Sequence, residues 1–366
     1  MDNVFEPAYW MALSHLQYWG TEKINRLIID ILVNKKISFS DFFNLDVSEW
    51  QAEFNINEKH INELLKAKSE LANYSFLAES LFEQGFKIIT INSKEYSNIL
   101  KGNLKTKQAP SILYVKGNIK LLNESTIAIV GSRKASDVSL EFTKNIAKDF
   151  AKNYQVVVSG FAKGVDKMAL DATLEYNGHS IIVLPQGIKT FASGFKKYYQ
   201  KIIQGDVLVL STFHPNVPWS VGLAMQRNTY IYGLAEKIYV AESDSKGGTW
   251  AGVSDGLKRD REIYVRLPEP GEKNANNLLI LQGAIPVDFY GNEILGEDDL
   301  SQKLKQIINN GRYSADEIKN KLHLNIDTKQ LSKLLSGLNF IVSKKINSNK
   351  YFMLKDEKKA QADLFV

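Results

Sequence analysis

Three short turns of the chain join small residues to a basic side chain, a combination that suits the binding of an anion. Gly131-Ser132-Arg133 follows the apolar run "STIAIV", "SGFAKGVD" spans 159–166, and "SDSKGGTWAG" spans 243–252. Glycine lets the backbone approach a ligand closely, while helix N-termini and the Arg or Lys side chains neutralise negative charge. We therefore expect the three turns to hold phosphate groups, with Arg227 and Asn228 of "MQRNTYIYGL" added from a separate segment.

The signatures of common phosphate cofactors are missing. The turn at 131–134, "GSRK", lacks the second and third glycines of the GxGxxG dinucleotide fingerprint, and Ser159-Gly160 stands where an acidic residue is expected. The sequence contains no GxxxxGK[ST] motif either. These observations disfavour NAD and ATP chemistry, and we expect no cofactor. With no cysteine and five scattered histidines, we also expect no metal site.

The elements that must position these turns alternate between apolar strands and helices. The pattern predicts strands at 126–130, 155–159, 180–184, 207–211, 237–241 and 262–265. Helices are predicted between them, near 137–152, 164–177, 195–204, 219–234 and 249–258. Such alternation is typical of an α/β fold with a Rossmann-like, doubly wound parallel sheet, in which the turns after the strands meet at one edge. Asp166 either caps the helix beginning near Gly164 or positions a cation, and we favour capping.

The chain as a whole divides into four predicted regions. Residues 1–85 read as a helical domain, a degenerate helix-hairpin-helix whose aromatic residues we expect to be core. Residues 86–296 form the Rossmann-like core, 297–355 a winged helix, and 356–366 a flexible tail. The start of the chain lacks the features of a signal peptide, and no apolar run is long enough to span a bilayer. We expect a cytoplasmic protein without a membrane partner.

The basic residues of the chain are concentrated near its C-terminus. Residues 301–366 contain 13 Lys/Arg against 6 Asp/Glu, a surplus larger than the net charge of +5 of the whole chain. Three helix-sized segments followed by a basic hairpin predict a winged helix, which either binds nucleic acid or docks a protein through a solvated basic face. The candidate DNA contacts on its third helix and wing are Lys329, Lys333, Lys344, Lys345 and Lys350.

Five ordered motifs carry a family resemblance. The segments "IAIVGSR", "VVVSGFAKGVD", "NGHSIIVLPQGI", "QRNTYIYGLAEKIYVAE" and "KGGTWAG" resemble those of the DNA-processing protein A family, DprA, also called Smf. The resemblance implies a Rossmann-like core that binds and protects single-stranded DNA, forms a homodimer, and loads the recombinase RecA during natural transformation. Lys163 stands where the family usually has arginine. The residues that the resemblance assigns to the DNA-phosphate pocket are Gly131, Ser132, Arg133, Ser159, Gly160, Lys163, Gly164, Arg227, Asn228 and Lys246.

Two other functions remain open from the sequence. The segment "SKGGTWAGVSD" resembles the PGGxGTxxE motif of the phosphoribohydrolases in the same superfamily, which would make the chain an enzyme. Such a hydrolase needs a carboxylate at the reacting centre, but Gly252 follows Thr249 at the required spacing and the first acid is Asp255. We therefore expect a protein without catalytic residues. The other alternative is a nucleotide or DNA sensor in defence.

The C-terminal residues "QADLF" form a separate candidate site. Gln361, Leu364 and Phe365 follow a charged segment, and an apolar pair at an exposed terminus often enters a partner's pocket. The pentapeptide resembles the motif that binds the bacterial DNA polymerase sliding clamp, with Ala362 as its one departure. The alternative is that Leu364 and Phe365 pack onto the winged helix.

Overall fold

The protein is represented by a computed structural model that describes residues 6–295, 299–309, 311–324, 326–346 and 349–355. These residues form two compact units. Unit 1 comprises Met1–Ala128 and Ala147–Glu236, and unit 2 comprises Ile129–Ile146 and Lys237–Val366. No helix of the described residues is both long and apolar enough to cross a membrane.

Unit 1 begins with six helices that pack around an aromatic core. Capping boxes start two of them, with Ser38 and Asp41 at one and Asp46 and Glu49 at the other, so that orphan backbone N–H groups are satisfied. Trp10 and Trp50 are buried, as expected for core residues, whereas Tyr18 is 83% exposed and does not fit that expectation. The helices are α1 (Glu6–Ser14), α2 (Thr21–Ile29), α3 (Phe39–Asn44), α4 (Val47–Phe54), α5 (Glu58–Ser69) and α6 (Leu71–Glu83).

The sheet of unit 1 has the strand order β1-β2-β6-β5-β4-β3. Its strands are β1 (Lys87–Thr90), β2 (Ile112–Gly117), β3 (Thr126–Val130), β4 (Val156–Ser159), β5 (Ser180–Val183) and β6 (Val207–Ser211). β3 to β6 run parallel, and every residue in them is buried, as expected for strands covered on both faces. Two strands that precede the predicted βα region extend the sheet at one edge, where β2 pairs antiparallel with β6 and β1 antiparallel with β2.

Helices connect these strands and cover the sheet. They are α7 (Asn98–Gln108), α8 (Asp137–Lys152), α9 (Val165–Glu175), α10 (Ala192–Gln204) and α11 (Val221–Leu234). The predicted strands and helices differ from the observed ones by at most three residues at their ends, which is close to the usual uncertainty of element boundaries. The predicted α/β fold with a mostly parallel sheet is therefore confirmed.

Unit 2 contains the last two residues of β3 and three further parallel strands, in the order β3-β7-β8-β9. These strands are β7 (Lys237–Val240), β8 (Ile263–Arg266) and β9 (Ile285–Val287), with helices α12 (Gly248–Leu257) and α13 (Asn276–Leu281) between them. The C-terminal elements are α14 (Asp299–Asn309), β10 (Tyr313–Ser314), α15 (Ala315–Lys321), α16 (Thr328–Leu335), β11 (Ile341–Ile346) and β12 (Asn349–Leu354). β10, β12 and β11 form a small antiparallel sheet.

The C-terminal elements share one apolar core with α13. Leu278 and Leu281 of α13 pack in the same buried cluster as Leu304, Leu331 and Phe352. Removing the C-terminal elements would therefore expose apolar surface of α13, so substitutions are a cleaner test of their function than a deletion. The predicted domain boundaries and the winged-helix assignment stay predictions.

Candidate nucleic-acid interface

The loop after β4 carries four of the predicted phosphate-binding residues in unit 1. Ser159 and Gly160 are buried at its start, and Gly164 forms the N-cap of α9 with φ of +80°, a conformation that favours glycine. Phe161 has φ of +136°, which is strained for a side chain of this size. Its ring packs edge-on against those of Phe191 and Tyr198, which anchors the loop to the core. Lys163 remains exposed.

A buried ion pair supports this loop from below. The Arg227 Nη2 atom of α11 lies 3.6 Å from Asp166 Oδ2, and the two side chains are only 4% and 9% exposed. Arg227 Nη1 also donates a hydrogen bond of 3.2 Å to the carbonyl of Val183, at the end of β5. Asp166 therefore positions a cation, and our preference for capping was wrong because Gly164 is the N-cap. The arrangement fixes the loop relative to β5 and α11.

The arginine in this pair occupies the protein interior, not the surface. An added Cβ at Gly160 would lie 1.3 Å from Arg227 Nη1, so the glycine provides the space that the guanidinium fills. The predicted phosphate contact of Arg227 stays a prediction, and the geometry adds a structural role in which Arg227 holds the loop. Asn228, the next residue on α11, is half-buried.

In unit 2, the turn after β3 is held by Glu242. The Ser132 amide donates 2.9 Å to the backbone carbonyl of Glu242. The Glu242 carboxylate accepts hydrogen bonds from the Ser136 amide (2.9 Å), the Ser136 hydroxyl (2.6 Å) and the Ser139 hydroxyl (2.8 Å). These bonds satisfy donors where α8 begins and join the start of α8 to the segment after β7. Gly131 and Ser132 are half-buried, whereas Arg133 is exposed.

A second buried arginine supports this turn. Arg266 is 1% exposed and donates to the Ser139 hydroxyl (2.9 Å), to the Ala241 carbonyl (3.1 Å) and to Glu272 Oε1 (2.8 Å). The hydrogen bonds from Arg266 hold the pKa of Glu272 below its usual value. Arg266 thus joins the start of α8 to the ends of β7 and β8, and its charge is compensated inside the protein.

The third turn, between β7 and α12, presents Lys246 to solvent. Gly247 is the N-cap of α12 and has φ of +96°, so this position requires glycine. On the same helix, Asp255 accepts a hydrogen bond of 2.8 Å from Arg259 Nε, one turn further along. The first acid after Thr249 is therefore engaged in a surface ion pair.

Four of the five candidate lysines in the C-terminal elements are exposed: Lys329, Lys333, Lys344 and Lys345. Lys350 is half-buried and donates 2.7 Å to the Ser336 hydroxyl. Asp327 is the N-cap of α16 and accepts from the amides of Lys329 and Gln330, so that helix start is already neutralised.

The proposed clamp-binding residues Gln361, Leu364 and Phe365 lie outside the described residues.

Sequence reasoning missed three contributions to these turns. Glu242 lies within a motif that we had identified, but its role needs the contact with α8, which is more than 100 residues earlier. Phe161 was read as part of a small-residue loop, and nothing in its type signals a positive φ. The pairing of Arg227 with Asp166 joins residues that are 61 positions apart, which no local pattern reveals.

In this α/β fold, the turns after β3, β4 and β7 carry the exposed cations Arg133, Lys163 and Lys246. Residues 87–295 match the family described as DNA recombination-mediator protein A, and the chain belongs to that family.

Individual relatives agree with this assignment. The chain is 32% identical over 156 residues to DNA processing protein DprA of Streptococcus pneumoniae, covering 43% of this chain and 55% of the relative. It is 30% identical over 181 residues to Protein Smf of Borreliella burgdorferi, covering 49% of this chain and 56% of the relative. The chain thus spans little more than half the length of these relatives. The X-ray structure of the S. pneumoniae protein superposes with a TM-score of 0.59 at 23% identity, covering 78% of this chain and 94% of that one, which shows a shared fold.

Proposed function

We propose that the chain binds the sugar-phosphate backbone of single-stranded DNA and mediates recombination by protecting the strand and loading RecA onto it. The names of the family and of its relatives, a recombination mediator and DNA processing proteins, support this proposal. As part of this proposal, the chain would load RecA onto incoming DNA during natural transformation. A homodimer, a cytoplasmic location and a tether to the sliding clamp remain parts of the same proposal.

The observation that carries the proposal is the division of labour between carboxylates and cations. In unit 1, the Asp166 carboxylate pairs with the buried Arg227, whereas Lys163 in the loop after β4 is exposed. In unit 2, the Glu242 carboxylate accepts hydrogen bonds from Ser136 at the start of α8, whereas Arg133 in the turn after β3 is exposed. Within the described residues, neither Lys163 nor Arg133 forms an ion pair, so both charges are available to a phosphate.

The C-terminal hairpin supports a second DNA contact. Lys345 and Lys350 lie directly opposite each other in the antiparallel pair of β11 and β12. Like charges in this position repel and destabilise the hairpin, so a bound phosphate would relieve the repulsion. We propose that these elements form a winged helix that adds a duplex-tolerant contact.

An enzymatic function is less well supported. The position that matches the catalytic acid of the phosphoribohydrolases is Gly252, and Asp255 pairs with Arg259 on the exposed side of α12. Incubation with nucleoside monophosphates and an assay for released base would test this alternative. We expect no release, because no carboxylate of this segment is placed to activate the reacting centre.

Binding is tested by fluorescence anisotropy of a labelled single strand titrated with native protein and with Arg133→Ala. A charge-assisted contact to phosphate is worth about 1–3 kcal/mol, so the affinity should fall accordingly and with little dependence on sequence. Lys94→Ala is a matched control, since Lys94 is an exposed cation on the loop after β1. A folded Arg133→Ala protein with native affinity would remove the turn after β3 from the proposal.

The handover is tested by the lag of RecA ATPase activity on a strand already covered by single-strand-binding protein. The native chain should shorten the lag, and Arg133→Ala should restore it in proportion to its loss of affinity. A lag that the native chain leaves unchanged would limit its function to DNA binding.

A further inference from the structure

A cavity of about 290 Å³ in unit 1 is separate from the loop that carries Lys163. Residues of α1, the segment before α2, β2, the segment after β6 and α11 line it. Its volume is at the lower end of the range of small-molecule sites, roughly 300–1,000 Å³. The ligand that fits is therefore small.

The walls of the cavity are partly aromatic, partly aliphatic and uncharged. Trp19, Phe213 and Tyr230 contribute rings, and no Lys, Arg, Asp or Glu is among the lining residues of the described chain. Burial, and to a lesser extent the neighbouring His214, lowers the pKa of His15 to about 3. Burial also lowers the pKa of His214. Both imidazoles are therefore neutral at pH 7. The cavity offers no compensation for a charged ligand, and its rings suit a planar one.

Polar groups along the walls supply hydrogen bonds to such a ligand. The Trp19 side chain is only 8% exposed, and its indole N–H has no hydrogen-bond partner among the described residues. A buried donor without a partner is costly, so a ligand atom or water that accepts from it would stabilise the site. His214, whose Nδ1 accepts a hydrogen bond of 3.4 Å from the Asn216 amide, adds a polar imidazole to the walls. Gln226 adds an amide, with its nitrogen donating 3.2 Å to the Tyr230 hydroxyl.

The same helix that holds Arg227 forms one side of this cavity. Leu223, Gln226 and Tyr230 of α11 line it and share one face of the helix at i, i+3 and i+7. Arg227 follows Gln226 directly and points about 100° away, toward Asp166. The cavity and the phosphate-binding loop are therefore on neighbouring faces of α11.

We propose that this cavity binds a nucleobase, either as a free nucleoside or as an unstacked base of a bound single strand. A nucleobase is neutral and planar, and its edge carries donors and acceptors, which are the three properties that the walls select. Aromatic stacking with hydrogen bonds to the base edge is how proteins hold unstacked bases. The version of this proposal in which the base belongs to a bound strand rests on the proposed function, whereas the version with a free nucleoside does not.

The first experiment titrates the full chain with adenosine, guanosine, cytidine and thymidine, each separately, by isothermal calorimetry. Trp19→Phe keeps a ring but removes the donor, so it should weaken binding about tenfold, the equivalent of one lost hydrogen bond. Trp219→Phe is the matched control, because Trp219 is 48% exposed and does not line the cavity. Gln226→Ala, a change at an exposed residue that should not affect folding, is a second variant with the same expected weakening.

The second experiment places 2-aminopurine in a single strand and follows its fluorescence on binding. A change that Trp19→Phe and Gln226→Ala both reduce would support the proposal with the strand as the source of the base. Nucleoside binding without such a change would support it with a free nucleoside as the ligand. If none of the four nucleosides binds and the 2-aminopurine signal is the same in native and variant proteins, the proposal is overturned.

The two proposals fail separately. Arg133→Ala should lose affinity for the strand while retaining native affinity for the nucleosides. A protein that binds nucleosides but no strand would contradict the proposed function and leave the cavity assignment intact.

Discussion

A single methyl group at Gly160 should disrupt the support of the loop after β4. The added Cβ of Gly160→Ala would lie 1.3 Å from Arg227 Nη1 and 2.4 Å from Asp166 Oδ2, both far inside contact distance. Arg227 is a long side chain, but it is only 3% exposed and bonded to Val183 and Asp166, so it cannot move aside without leaving these partners. The substitution therefore acts through the ion pair, not through the backbone conformation of Gly160.

The size of the effect follows from the burial of the pair. Breaking a buried ion pair costs about 3–5 kcal/mol, because it leaves an uncompensated charge in the interior. This is a large share of the ~5–15 kcal/mol by which a typical domain is stable. Displacing the loop also moves Lys163, so the affinity for single-stranded DNA should fall in any fraction that remains folded.

Urea unfolding of Gly160→Ala beside Gly102→Ala measures this effect. Gly102 is an exposed position in α7, and an added Cβ there meets nothing within 4 Å. Alanine favours a helix over glycine by roughly 0.5–1 kcal/mol, so the control should be slightly more stable than the native protein. A Gly160→Ala protein within 1 kcal/mol of native stability would refute the packing of Arg227 described above.

Substitutions at three further positions test other parts of the structure. Glu242→Ala removes the acceptor of three hydrogen bonds at the start of α8, so it should lower the free energy of unfolding in urea by about 1–3 kcal/mol. Glu242→Gln should lower this free energy by less. Equal stability of both variants and the native protein would contradict this role of Glu242. Because Arg266 lowers the pKa of Glu272, their stabilisation is complete above about pH 4.5 and is lost as the pH falls through the lower folded value. The midpoint temperature of thermal unfolding should therefore fall less between pH 6 and pH 3 in Glu272→Gln than in the native protein. An equal fall in the two proteins would contradict the stabilising role of the Arg266–Glu272 pair. Lys345→Ala removes a like-charge pair, so the hairpin should gain a few tenths of a kcal/mol while duplex DNA binding weakens; equal weakening on single strands would contradict separate contacts.

The sequence was informative where one segment suffices to specify the structure. Four wholly buried strands, β3 to β6, are visible as apolar runs. The turns after β3, β4 and β7 were located from their glycines and cations. The direction of β1 and β2 could not be read in the same way, because alternating apolar residues fit either orientation. Strand direction depends on the pairing partner, and β2 pairs with β6, which is about 90 residues further along the chain.

The same limit applied to the candidate site. Exposed Arg133, Lys163 and Lys246 are where turn chemistry predicts them. Arg227 was classed with them because a motif names a residue type and not its surroundings. The burial of Arg227 depends on the space beside Gly160, which has no side chain, and on the carboxylate of Asp166. Both features arise only when the loop after β4 and α11 are brought together in the fold.

The most direct test of the central claim is the salt dependence of single-strand binding by the native protein and by the double variant Arg133→Ala, Lys163→Ala. The logarithm of the binding constant falls linearly with the logarithm of the salt concentration, by about 0.7 per neutralised phosphate for single strands. We predict that the slope of the folded double variant is shallower by about 1.4, since each of the two lost phosphate contacts removes about 0.7. A folded double variant with the native slope and affinity would contradict the claim that these cations hold DNA phosphates.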